Sequence, residues 1–429
     1  APQPFMENFL NKFFFRSSNL NYISQSLINL SKKTPAKKIF EALNNYSDIS
    51  EVRYVGGCIR KIIKKEIVDD IDLATNLKPN EVCDALKKQD INFYETGIEH
   101  GTITAIIDSY KYEITSLRKD VTTDGRHANV EFSLDWKEDA ARRDFSINSI
   151  YSNKEGNLFD PYDGKKDLES GTINFIGDAE ERIKEDYLRI LRYIRFFLNY
   201  SSQSHNPEVI KIIKRNIKGV SNLSSERLID ELQKLTKSNK FIKIFKDKIS
   251  LELLEIIFPQ LKNLQNLKKL NSYGLKNLSK IDFIFLISLL IVDGTDNVDY
   301  FIYKFNISKK DQKRLKVIDS FYKENVSIKN FTEKNFNKIF YFNGRQAALD
   351  IINFKLFSSK SVEKKLLKLA EVYKEKIIPT LPIGANVLMS KYKIPEGKLL
   401  GIKLKLIEET WVQNSFQITE KQIQTIIKS

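Results

Sequence analysis

Between Val68 and Thr75 the chain reads VDDIDLAT, three aspartates set into an apolar run. Acids are poor strand formers, so their presence there asks for a chemical use. Side chains alternate along a strand, which puts Asp70 and Asp72 on one face and sends Ile71 and Leu73 into a core. Two carboxylates about 7 Å apart on one strand face repel each other unless a cation lies between them, and a divalent metal is the natural partner. Asp69 falls on the opposite face and is set aside. A third carboxylate, Glu113, sits mid-strand in KYEITSLR, with Tyr112 and Ile114 facing the other way. Its plainer reading is an exposed strand acid.

Just upstream lies YVGGCIRK, where Gly56 and Gly57 end a strand and open a helix carrying Arg60 in its first turn. Glycines let a backbone approach a triphosphate, and helix-start amides with an arginine hold its charge. The competing reading is a tight strand–helix turn. The aspartates follow one helix later, and a phosphate cradle beside paired carboxylates is what two-metal nucleotidyl transfer requires. In AARRDFSINSIY, residues 140–151, Asp144 and Asn148 are one helical turn apart and next to Arg143. An acid and an amide so spaced can both reach a ribose, the carboxylate accepting from its 2′-OH. An ion-paired, capped helix start has the same pattern.

ERIKEDYLRILRYIRFF, residues 181–197, predicts one helix with an apolar stripe at Leu188, Leu191 and Ile194. Asp186, Arg189, Arg192 and Arg195 recur every three residues, and each step drifts about 60° around the helix. The first three therefore share a face, and Arg195 rotates away from it. A solvated face with a Glu185–Arg189 pair is one reading. Hydrogen-bond logic gives the other: Asp186 accepts from the exocyclic amine of cytosine or adenine and Arg189 donates to the neighbouring ring nitrogen. Guanine and uracil mismatch at both positions.

These residues need elements to hold them. The 429 residues exceed one ordinary core, so two to four domains are expected. Strand-like segments dominate from 51 to about 160, interrupted by helical stretches at 57–66 and 79–89. From about 178 onward nearly every segment has helical spacing. The fold class is an α+β head followed by an all-α remainder. The 70 Lys and Arg against 55 Asp and Glu give a net charge of +15, which points to a polyanionic partner. Two cysteines exclude a disulfide framework or a thiolate zinc site, and no apolar run approaches the roughly 20 residues of a membrane span. The basic, Ser-rich N-terminal segment reads as a helix packed on the body, with a mitochondrial transit peptide as the alternative. The corresponding location is cytoplasmic, or mitochondrial under that alternative.

Taken together, GGCIR…DDIDLAT, ARRDFSIN, LFDPYDG, EDYLRILRYIRF and SSERLIDEL stand in the order of the five motifs of class II tRNA nucleotidyltransferases, which this chain resembles. These are the CCA-adding enzymes, sisters of bacterial poly(A) polymerases. LRKDVTTDGRHANVEF, 117–132, looks like that family's flexible loop, with Asp124, Gly125 and Arg126 at its centre. The stretch 381–411 looks like its tRNA-contacting tail. The resemblance implies a seahorse-like molecule: an N-terminal extension (1–33), a head with a five-stranded mixed sheet (34–177), a helical neck (178–250), a body (251–375) and a tail (376–429). It implies template-independent addition of C, C and A to the tRNA 3′ end from CTP and ATP, with Mg²⁺ as cofactor and tRNA as partner, and no membrane. By motif position Asp70 and Asp72 would bind Mg²⁺ with Glu113 as third carboxylate, and Gly57 and Arg60 would hold triphosphate. Arg143, Asp144 and Asn148 would serve the sugar, Asp186 and Arg189 the base, and Arg192 and Arg195 the nucleotide. Glu226 and Arg227 would buttress the templating helix.

One position departs from that family. After GGxxR an aspartate is usual, and here Lys61 stands instead; it either alters catalysis or is a neutral surface change. A poly(A) polymerase would run the same head chemistry on less specific RNA, and a catalytically silent tRNA-binding protein is the remaining alternative.

Overall fold

The computed structural model describes residues 20–123 and 128–429, so the loop residues Asp124, Gly125 and Arg126 and most of the N-terminal extension lie outside the described residues. The chain forms two compact units that divide between Glu231 and Leu232.

In the first unit, α1 (Leu20–Lys33) and α2 (Ala36–Asn44) pack together through Leu27, Leu30, Ile39 and Phe40, all buried. Ser31 on α1 donates to the Tyr54 hydroxyl at 3.1 Å. β1 (Val52–Val55), α3 (Gly57–Ile63), β2 (Ile71–Thr75), α4 (Pro79–Lys88), β3 (Asn92–Gly97), β4 (Thr102–Ile107) and β5 (Tyr110–Ser116) follow. β6 (Arg118–Thr123) and β7 (Ala128–Phe132) make a separate hairpin. After α5 (Trp136–Ala141) come β8 (Tyr151–Ser152), β9 (Leu158–Phe159) and α6 (Gly164–Ser170).

The main sheet runs β3-β4-β5-β2-β1-β8-β9, parallel only between β2 and β5. Its five longer strands are the expected mixed sheet. The two-residue β8 and β9 extend it to seven; β9 falls in the strand-like NLFDPYDG, whereas β8 and β3 lie outside the segments read as strands. Alternation puts Ile71, Leu73, Tyr112 and Ile114 in the core and leaves Asp72 and Glu113 on the opposite face.

One expected helix is corrected, and one expected helical-turn spacing is met differently. Asp144 and Asn148 do not share an α-helical turn: α5 ends at Ala141, Phe145 is extended (φ −122°, ψ 149°), and a single 3₁₀ turn covers Ser146–Asn148. Residues 181–197 form two helices, α7 (Ala179–Glu185) and α8 (Leu188–Tyr200), broken at Asp186 (φ −153°, ψ 103°). The Asp186 carboxylate accepts from the Leu188 amide at 3.1 Å, the competition that makes a short acid a helix start rather than a helix interior. The unit closes with α9 (Pro207–Asn216) and the first half of α10 (Ser225–Lys237).

The described part of the second unit is helical throughout. One core gathers Phe331, Phe336, Phe340, Ile352, Leu366 and Tyr373; a smaller one gathers Leu388, Ile394, Leu400, Ile407 and Ile423. A cleft of about 830 Å³, edged by Lys309, Lys313, Lys316 and Lys338, has Phe321 and Phe336 in its wall. Among the described residues no helix is long and apolar enough to cross a membrane.

Candidate active site

β2 and β5 run side by side with Asp72 opposite Glu113. Partial desolvation by the surrounding protein, and then the charges of Glu113 and Asp70, push the Asp72 carboxyl up to about 6, against the pull of Arg143 and Arg60, although the side chain still reaches solvent. Three acids therefore share one electrostatic neighbourhood, and two arginines lie close enough to act on it. Gly56 has φ +71° and nothing within 4 Å of the place a Cβ would take. That leaves open space over the strand–helix turn where Gly57 begins α3.

Arg60, one turn into α3, donates from Nη1 to Asn148 Oδ1. Asn148 Nδ2 in turn donates to Asp144 Oδ1 at 3.0 Å, and Arg192 Nε donates to Asp144 Oδ2 at 2.5 Å. Four residues singled out by type and spacing thus form one continuous chain of hydrogen bonds across α3, the 3₁₀ turn and α8. Burial alone would raise the Asp144 carboxyl, but Arg192, Asn148 and the Phe145 amide hold it at about 2. The anion is fixed, and both its oxygens are engaged by the protein.

Arg192 and Arg195 flank the Phe196 ring at 5.3 and 4.4 Å, and Arg60 lies 4.9 Å from the same ring. Arg195, which helical drift turns away from Arg189, is ion-paired through Nε with the buried Glu231 of α10. Asp186 is gripped bidentately by Arg227, at 3.0 and 2.7 Å. Arg189 Nη1 donates to Glu185 at 3.0 Å and to the Arg182 carbonyl at 2.8 Å. Because Asp186 lies in the break between α7 and α8, it is not on a common helix face with Arg189 and Arg192; its charge nevertheless acts on Arg192.

Against known families, residues 52–174 match the profile described as "Poly A polymerase head domain" and 206–265 the one described as "Probable RNA and SrmB- binding site of polymerase A". The chain is 32% identical over 393 residues to a human protein named CCA tRNA nucleotidyltransferase 1, mitochondrial, covering 88% of this chain and 86% of the relative. This chain belongs to the CCA tRNA nucleotidyltransferase family. The fold agrees: a Bacillus stearothermophilus CCA-adding enzyme solved with CTP superposes with TM-score 0.69 at 20% identity, over 92% of this chain and 96% of that one. A Thermotoga maritima CCA-adding enzyme solved with tRNA_CCA gives 0.55 at 15% identity, over 98% of both chains.

In this member of the CCA tRNA nucleotidyltransferases, several residues packed around the candidate site escape the motif reading. Asp139 pairs with Arg142 at 2.9 Å and Arg143 at 3.3 Å and accepts from the Tyr151 hydroxyl at 2.6 Å. Its i,i+3 and i,i+4 spacing to the two arginines was a usable signal. Glu231, at 1% exposure, was marked only by being a carboxylate on the apolar face of Leu228, Leu232 and Leu235. Arg182, whose Nη2 donates to the carbonyls of Arg142 and Arg143 at 2.6 and 2.7 Å, carried no such mark.

The family's divalent-metal chemistry fits the donor set. Among the described residues no group of three or more His, Cys, Asp or Glu is arranged to hold an ion by itself. Asp72 instead lies opposite Glu113 and feels the charge of Asp70, hard oxygens that could hold an ion whose remaining ligands are phosphates and water. Cys58, deeply buried with its thiol pushed up to about 12 by that burial, is inert beneath the site.

Proposed function

We propose that the chain adds C, C and A, without a nucleic-acid template, to the 3′ end of tRNA from CTP and ATP, releasing pyrophosphate. The observation carrying this reading is the Arg60–Asn148–Asp144–Arg192 chain of hydrogen bonds lying beside the Asp72–Glu113 pair. Asp70 and Asp72 would hold Mg²⁺, with Glu113 as the third carboxylate; the metal would supply Lewis-acid stabilisation of the charge developing in phosphoryl transfer. Gly57 and Arg60 would take the triphosphate. Arg60 Nε is buried without a hydrogen-bond partner, a donor that a phosphate oxygen would satisfy. Arg192 and Arg195 would add charge around Phe196, while Arg143, Asp144 and Asn148 would seat the sugar. Asp186, oriented by Arg227, and Arg189 would read the base edge. Asp124, Gly125 and Arg126 would belong to the loop that changes the pocket from CTP to ATP.

We propose the division into head (34–177), neck (178–250), body (251–375) and tail (376–429), with tRNA held along the helical part. The lysine-edged cleft of the second unit and the +15 charge support a phosphate-rich partner. The human relative's mitochondrial name favours the organellar over the cytoplasmic location.

The test is end-labelled tRNA lacking its 3′ CCA, with Mg²⁺ and CTP, ATP or both. Two residues from CTP, one more with ATP, then arrest is the expected result. Long adenylate tails on tRNA and unstructured RNA alike would establish a poly(A) polymerase, and binding without extension would sink the enzyme reading.

A further inference from the structure

Asp70 and Asp72 are not held alike. Asp72 is clamped on both sides, opposite Val55 of β1 and Glu113 of β5. The ladder with β5 begins only at Ile71, opposite Tyr112, so Asp70 lies just outside the sheet, at the end of the loop that returns from α3. Its backbone amide is taken instead by the Asp69 side chain, Oδ1 accepting at 3.1 Å. That same Oδ1 accepts from Lys61 Nζ. Lys61 stands on α3 directly after Arg60, and its carbonyl also accepts from Glu66 in the loop at 2.8 Å. One lysine therefore ties the return loop to the arginine-bearing helix through both side chain and backbone.

We infer that the Lys61–Asp69 ion pair is a positioning device that sets Asp70 for metal binding, so that lysine at position 61 is functionally matched to aspartate at 69. The inference rests on the proposed metal role of Asp70. The charges need not have this order. What the geometry requires is opposite signs at 61 and 69, because an aspartate at 61 would face Asp69 with like charge and drive the loop from the helix. The pair is partly exposed, 26% for Lys61 and 53% for Asp69, so its weight for overall stability is small and its effect falls on local geometry.

The experiment compares wild type, Lys61→Ala, Lys61→Asp and the exchange Lys61→Asp/Asp69→Lys. Extension of CCA-less tRNA is followed across a Mg²⁺ titration. Mn²⁺ binding to the enzyme–CTP complex is read separately from the loss of the free-ion resonance signal. Lys61→Ala should raise both midpoints about threefold to tenfold, between the weight of an exposed ion pair and that of a lost outer partner to a metal ligand. Its kcat at saturating Mg²⁺ should stay near wild type. Lys61→Asp should exceed Lys61→Ala, and the exchange should return both midpoints toward wild type. One shared Mg²⁺ midpoint and Mn²⁺ affinity in all four proteins would overturn the inference. So would a loss of kcat at every Mg²⁺ concentration that the exchange does not repair. A wild type that extends no tRNA overturns the functional reading instead, while the Mn²⁺ measurement still judges the ion pair.

Discussion

Asp139 and Asp144 show how individual charges hold this site. Both are buried, and both have carboxyls near 2 rather than the ordinary 3.8, because arginines and hydrogen-bond donors outweigh the burial that would raise them. A depressed folded value contributes stability that is fully present above the unfolded value and is lost as pH falls through the folded one. Each should contribute about 2 kcal/mol at neutral pH. Unfolding followed at stepwise lower pH should therefore show stability falling between about pH 4 and 2, with Asp144→Asn flattening part of that slope. At the proposed metal site, Asp70→Ala and Asp72→Ala should each lower extension by about 10³-fold, the scale of removing a principal electrostatic group. Thermal midpoints near wild type would show that the loss is chemical. Arg227→Ala removes the two bonds that aim Asp186. It should increase incorporation of UTP and GTP relative to CTP and ATP, read by competition in the extension assay, with little change in thermal midpoint because the pair is partly exposed.

Elements set these residues by close approach. In LFDPYDG the terminal glycine, Gly164, opens α6 directly beneath the 3₁₀ turn; a Cβ there would stand 2.1 Å from the Ser146 carbonyl oxygen. Asp160 anchors that start by accepting from the Gly164 and Lys165 amides at 2.7 and 2.9 Å. Gly164→Ala should displace the turn that carries Asn148, lowering both thermal midpoint and kcat/KM. An unchanged KM for CTP would argue against the link. Between α8 and α10 the decisive contact is Arg195 with Glu231. Glu231→Ala leaves a largely buried guanidinium unpaired and should cost about 3–5 kcal/mol in denaturant unfolding. Glu231→Gln keeps the shape and should cost less.

For the whole chain, +15 net charge predicts that RNA affinity is governed by phosphate contacts. For about six such contacts, the affinity should fall roughly 10³-fold between 50 and 200 mM salt. A titration of tRNA binding against salt concentration gives the slope directly, and a flat response would place recognition in uncharged contacts.

The alternation of apolar residues with acids sufficed to turn Asp72 and Glu113 away from the core, because a strand's two-residue period is a local property; the pairing of β2 with β5 sets the two side by side. The ordered motifs, the all-helical second half and the family were likewise readable in sequence. Local periodicity failed where a side chain competed with the backbone: Asp186 broke a helix that its neighbours' spacing predicted. The Asp144–Asn148 contact forms although no α-helical turn joins the two, since a 3₁₀ turn closes the same gap. What only the tertiary structure decided were the partners distant in sequence. Arg60 with Asn148, Arg192 with Asp144, Arg195 with Glu231 and Arg227 with Asp186 lie 88, 48, 36 and 41 residues apart. No periodicity spans such separations; only the tertiary fold brings these charges together, and where they are buried each needs its counter-ion.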